Sequence, residues 1–273
     1  MTAVRHRAAR VFWAGGCATK HLLYVILIAI PGFAGGQPLL DFRTDLAFDA
    51  NTVAAVADRT YRARLQALAA DGRLDRDPAL LARLRTLVEK LQPAIRYERP
   101  DVAAIDWEIH TCRRCGENAS AMAGGKLLVG EEFIAGLAFT DDELGYVLAH
   151  EVAHVLAEHT REFATAARFF VDHGRYRHYE DIQNELDESF VVNLRMAPVY
   201  ALQELEADYI GYILGARSGF QPEAMLRMMR KMLADGPQGF SRHPDAGERI
   251  RRLEAMLQAA HRIRDMHFPA RGR

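Results

Sequence analysis

His150 and His154 stand four residues apart in the run His150-Glu-Val-Ala-His154. On a helix that spacing puts both imidazoles on one face, one turn apart, where their nitrogens converge on a single ion. Glu151 then projects beside the ion instead of into its ligand shell, where it can take a proton from a bound water. Two ordinary helix histidines would look the same, and five residues alone leave these readings evenly matched. A catalytic zinc site also needs a third protein ligand and an open position. Downstream, Glu204-Leu-Glu-Ala-Asp208 offers two carboxylates on one helical face. Glu204 can supply the third ligand, and Asp208 can accept the free ring N–H of a ligand histidine and fix its tautomer. Tyr200, Ala201, Leu205, Ile210 and Ile213 make this helix partly buried, where carboxylates are costly unless paired. Glu206 is the member expected in solvent. His159, five residues past His154, lacks the intervening glycine of a longer histidine motif. It is expected at the C-terminal end of the histidine helix, where a positive charge suits the dipole.

Four segments in this order and spacing resemble the HtpX-like and CAAX-prenyl-protease-like family of gluzincin zinc metallopeptidases, in its small, exported, single-domain branch. They are Ala123-Gly-Gly-Lys126 followed by an apolar strand, Leu148-Ala-His-Glu-Val-Ala-His154, Glu204 to Asp208, and Phe240-Ser-Arg-His243-Pro244. The resemblance implies one Zn2+ per chain held by His150, His154 and Glu204, with Glu151 as general base and Asp208 holding a ligand ring. It also implies that His243 lies at the active site, either steadying the transition state or occupying the zinc in a resting form. The implied activity is a zinc-dependent endopeptidase acting on polypeptides; a substrate paired by its backbone along a strand edge would add broad specificity, such as toward misfolded envelope proteins in protein quality control. The alternative is a latent peptidase that serves as a chaperone or assembly factor, its zinc blocked. A pure metal-binding scaffold would gain nothing from a base at Glu151. The chain departs from the family at Asn118-Ala-Ser-Ala-Met122, where Asn-Ala-Phe is common, and at Cys112 and Cys115, which the pattern lacks.

These groups need a scaffold, and helix signals dominate it. Asp49 caps a helix to about Ala70, stopped by Gly72. Asp77-Pro78 opens another, with Pro93 after its end and a leucine stripe from Leu80 to Leu91. Ile105 to His110 alternates like a half-buried strand. Lys126-Leu127-Leu128-Val129, launched from Gly124-Gly125, is a second strand and a plausible edge on which an extended substrate could pair. Thr140-Asp-Asp-Glu143 is a capping box opening the histidine helix, expected from Asp141 to about His159. Further helices are expected over Arg161–Val171, Tyr179–Arg195, Pro198–Arg217, Pro222–Ala234 and from Pro244 to near Arg264. The expected class is therefore α+β, a mostly helical zincin-like metallopeptidase with a small β-sheet and an HExxH active-site helix.

The 273 residues, 49% apolar and 26% charged, suit a globular protein with a sizeable core. The net charge of −1 provides no field to gather nucleic acid. Basic residues before the apolar run Leu22 to Ile30, then small residues to Gly36, are the three parts of a secretory signal peptide. An uncleaved anchor is the other reading, and would be the one membrane contact. The expected location is thus the periplasm, free or tethered. Cys17 would leave with a cleaved segment, and Cys112-Arg-Arg-Cys115 would form a disulfide in that oxidising compartment. A zinc knuckle there would have only His110 as a further ligand. The expected organisation is a leader or anchor over 1–36, a helical scaffold over 37–100, the metallopeptidase domain over 101–264 and a basic tail over 265–273. The oligomeric state has no signature in the sequence.

Overall fold

A computed structural model describes residues 46–100, 105–171, 178–234 and 246–268. The first two helices form where capping chemistry predicts. Helix α1 spans Ala50–Ala70, its first turn closed by the Asp49 carboxylate accepting from Thr52 N at 3.0 Å. Helix α2 spans Pro78–Glu98 and runs through Pro93 instead of ending before it. A proline inside a helix costs about 3 kcal/mol. Beyond it, Ala94 and Ile95 enter the core, whose apolar burial offsets that cost, and buried Glu98 meets buried Arg217 at 3.2 Å.

Three short strands follow: β1 (Glu108–Cys112), β2 (Ala119–Met122) and β3 (Lys126–Gly130). Their order is β1-β3-β2, with β1 parallel and β2 antiparallel to β3. The β2–β3 hairpin turns through Gly124 and Gly125 at φ +80° and +78°, a region open to glycine. A Cβ on Gly125 would also meet the Ile105 side chain at 2.4 Å. Strand β2 has no sequence signature: Ala119-Ser-Ala-Met122 lacks β-branched residues, and all four are half-buried. The placement of β3 corrects the expectation that Lys126, Leu127, Leu128 and Val129 form a substrate edge. Both sides of that strand are paired, so its backbone groups are already used.

Helix α3 (Glu131–Leu137) leads to α4 (Asp141–Leu156), opened by the expected capping box, with Thr140 N donating to Glu143 at 2.9 Å and Glu143 N to Thr140 Oγ1 at 3.3 Å. Then come α5 (His159–Ala167), α6 (Tyr179–Glu188), α7 (Phe190–Arg217), α8 (Pro222–Ala234) and α9 (Ala246–His267). The break expected near Pro198 lies instead at Ser189, whose hydroxyl accepts from Val192 N at 3.3 Å and caps α7. One core cluster runs from Leu80 on α2 through β1, β3, α4, α7 and α8 to Ile263 on α9. This mostly helical arrangement with one three-stranded sheet is the expected α+β class. No helix among the described residues is long and apolar enough to cross a membrane.

Candidate metal centre

The site lies where α4 crosses α7, and glycines set the closeness of that crossing. A Cβ on Gly211 would lie 2.9 Å from the backbone N and Cα of His150, and one on Gly215 would lie 2.2 Å from the Tyr146 ring. Any side chain at these two positions would push the helices apart. With none there, α7 brings Glu204 and Asp208 against the histidine face of α4.

The structure brings the three expected ligands together. His150 Nε2 and His154 Nε2 are 3.1 Å apart; Glu204 Oε2 lies 3.5 Å from the first and Glu204 Oε1 lies 3.3 Å from the second. A tetrahedral zinc with bonds of about 2.0–2.1 Å spaces its ligand atoms by about 3.3 Å. These spacings suit that ion, and two imidazole nitrogens with a carboxylate are a donor set zinc accepts. The ligand atoms of His150, His154 and Glu204 all lie within 4.8 Å of one another. Glu204 is buried, with 7% of its surface exposed, as a carboxylate meant for a cation should be.

Asp208 sits behind the first histidine, its Oδ1 3.1 Å from His150 Nδ1. Buried Arg249, from α9, grips the same carboxylate with two donors at 2.6 and 2.7 Å and reaches Glu204 at 3.3 Å. Burial alone would raise the Asp208 pKa; Arg249 and His150 outweigh it and hold the group below the usual carboxylate range. Burial would likewise lower His150, but Asp208 and Glu204 push it up to about 10. Burial would strip charge from Arg249 too, and Asp208, Glu204 and Glu151 reverse this and keep it charged. The pocket thus carries an acidic field at the His150 ring that favours a cation there.

The remaining sequence candidates fall in several places. His243 lies outside the described residues. Glu151 follows His150 on α4 and is half-buried. Cys112 and Cys115 are joined by a disulfide at the end of β1. His110 faces Asp75 at 2.6 Å and Glu108 at 3.2 Å, so its ring is engaged by carboxylates.

Two residues of the site escaped the sequence reading. Arg249 is one of several arginines on a charged helix, and nothing in its spacing marks it as the one turned inward. His159 was expected at a helix C-terminus; it is instead the first residue of α5, 3% exposed, its Nδ1 2.8 Å from His154 Nδ1. The difference comes from Glu158, whose left-handed φ of 57° turns the chain between α4 and α5.

A helix bearing His-Glu-x-x-His, crossed by a second helix that supplies a glutamate and a supporting aspartate, is the architecture of gluzincin metallopeptidases. The sequence profile of Peptidase family M48 matches residues 78–257, and the chain belongs to that family, a gluzincin metallopeptidase family. The chain is 33% identical over 166 residues to mitochondrial metalloendopeptidase OMA1 of Schizosaccharomyces pombe, covering 57% of this chain and 48% of that protein. Saccharomyces cerevisiae mitochondrial metalloendopeptidase OMA1 is 28% identical over 171 residues, 58% of this chain and 49% of that protein. Human mitochondrial metalloendopeptidase OMA1 is 24% identical over 235 residues, 77% of this chain and 43% of that protein. The chain spans about half the length of the curated relatives it matches. The resemblance therefore holds at the level of the M48 family, while these relatives are OMA1 proteins and not HtpX-like or CAAX-prenyl-protease-like ones.

Proposed function

We propose that the chain is a zinc-dependent endopeptidase, with His150, His154 and Glu204 as the ligands of one Zn2+. The observation that carries this reading is the triangle of two imidazole nitrogens and one buried carboxylate beside Glu151. When bound, zinc supplies Lewis acidity, lowering the pKa of a water and polarising a carbonyl. Glu151 takes the proton of the attacking water and returns it to the leaving amine. Asp208, held by Arg249, accepts the Nδ1 proton of His150 and keeps that ring's Nε2 free to ligate. The relatives' names as metalloendopeptidases support cleavage within polypeptides.

An extended substrate would pair with β2. The free side of β1 is covered at its C-terminal end: Leu74 bridges to Cys112, Asp75 N donates to Thr111 O at 3.0 Å, and Arg113 N donates to Arg73 O at 2.9 Å. Among the described residues, β2 has β3 on one side and no strand on the other. It also packs on the histidine helix α4. Pairing through the backbone reads little sequence, which favours broad specificity and a role in protein quality control. The basic and apolar N-terminal pattern supports export to an envelope compartment.

Replacing Glu151 with Gln tests the mechanism. We expect the variant to keep one zinc per chain while cleavage of unfolded casein falls by at least 100-fold, the scale of a lost general base. Undiminished cleavage by that variant would refute the assignment.

A further inference from the structure

We propose that His159, backed by Glu206, is a positioning residue for His154: it accepts the Nδ1 proton of that imidazole and so holds the Nε2 lone pair toward the metal. The inference rests on the zinc reading above.

The two Nδ1 atoms are 2.8 Å apart, a hydrogen-bond distance, with ring centroids at 4.9 Å and planes at 74°. Two facing imidazole nitrogens bond only if one carries the proton and the other its lone pair. His154 turns Nε2 toward His150 and Glu204. If Nε2 ligates, the proton of the neutral ring must sit on Nδ1, and His159 Nδ1 must accept it. The proton of His159 is then on Nε2, which faces Glu206 Oε2 at 3.5 Å. Each tautomer in this row follows from the one before. The row mirrors the pairing of His150 with Asp208, so both ligand histidines are oriented from behind, one by an aspartate and one by a histidine with a carboxylate behind it.

The chain is shaped to allow this contact. On an unbroken helix, a residue five positions past His154 would lie about 140° around the axis and could not reach it. The left-handed turn at Glu158 breaks the helix and brings His159 back. Arg161 and Arg99 pair with the Glu158 carboxylate, and Gln203 Nε2 on α7 donates to the His159 carbonyl at 3.0 Å and to Glu162 at 2.9 Å. A non-glycine residue kept at positive φ needs such over-determination.

The same atoms could be read as a second cation site, because His159, Glu162 and Glu206 each bring a ligand atom within 4.8 Å of the others. The tautomer sequence decides against it. With His154 neutral and ligating through Nε2, His159 has its proton on the nitrogen that a second cation would need.

Zinc affinity of the full chain, measured by competition with a chromophoric chelator, tests the proposal, with the metal-free melting temperature measured alongside. His159→Phe removes the acceptor and should weaken zinc 10- to 100-fold, the usual effect of losing a partner behind a ligand histidine. His159→Asn keeps an oxygen acceptor near the Nδ1 position and should stay within about threefold of the parent. Glu206→Leu, at a half-exposed position, removes the acceptor behind His159; it should fold like the parent and weaken zinc by about threefold or more. If His159→Phe does not fold, the Glu206→Leu result decides alone. The proposal is overturned if the folded variants bind zinc as the parent does, if Asn and Phe weaken it equally, or if the parent binds a second zinc that His159→Asn abolishes. A parent that binds no zinc would instead sink the metal-centre reading itself.

Discussion

At the scale of single residues, burial makes the site's charges interdependent. Asp208 and Arg249 are 3% and 6% exposed, and each relies on the other for the solvation it has lost. Replacing Arg249 with Met leaves Asp208 buried against His150 alone. Breaking one partner out of a buried pair typically costs about 3–5 kcal/mol. Urea denaturation of the metal-free variant should show a loss of that size. A loss below about 1 kcal/mol would mean that the pair contributes little. A second cluster makes a prediction about pH. The Arg62 side chain, with Lys126 assisting, holds Glu108 at about 2 against an ordinary value of 4.5. A carboxylate with a depressed folded-state pKa stabilises the fold above its unfolded pKa, and loses that contribution as pH falls through the folded value. Metal-free Glu108→Gln should therefore melt below the parent at pH 7, with the gap closing between pH 4.5 and about 2. A gap that is constant with pH would contradict the assignment. Glu108 is partly exposed, so the gap should be small.

At the scale of elements, the crossing of α4 and α7 is the positioning device, and Gly211 is where α7 meets the backbone of α4. Gly211→Ala would place a methyl 2.9 Å from the His150 backbone. Forced overpacking of this kind costs about 1–3 kcal/mol. The variant should lose stability in urea and also bind zinc more weakly, because the shift falls at a ligand. Stability lost with zinc affinity unchanged would separate the crossing from the site. The same elements show what was readable beforehand. Capping chemistry at Asp49, Asp77 and Thr140 marked three helix starts, since a cap is local and its residues are few. The cluster of His150, His154 and Glu204 was legible because these residues obey helical spacing within their own segments. Pro93 was expected to follow the end of a helix and Pro198 to begin one, yet both lie inside helices, where tertiary packing outweighs a local preference. Strand β2 was missed because its pairing is set by the glycine turn and by β3, not by its own side chains. With β2 missed, β3 looked like an edge. Arg249 and His159 act across long separations or through a left-handed turn, and neither leaves a periodic trace.

At the scale of the whole molecule, the candidate metal centre draws on α4, α7 and α9, elements spread across the region that matches the M48 family. The core cluster is shared by α2, β1, β3, α4 and α7 to α9, so a ligand bound at the centre stabilises packing far from it. This arrangement explains how a short His-Glu-x-x-His run becomes a site. In the proposed centre the run alone would supply two donors and a base; α7 would add the third donor, and α9 and the start of α5 would hold the ligands in place. Anomalous diffraction at the zinc edge from crystals of the zinc-loaded chain tests this claim most directly. The account predicts one peak per chain within about 2.2 Å of His150 Nε2, His154 Nε2 and a Glu204 oxygen. No peak there, or a single peak among His159, Glu162 and Glu206 instead, would contradict it.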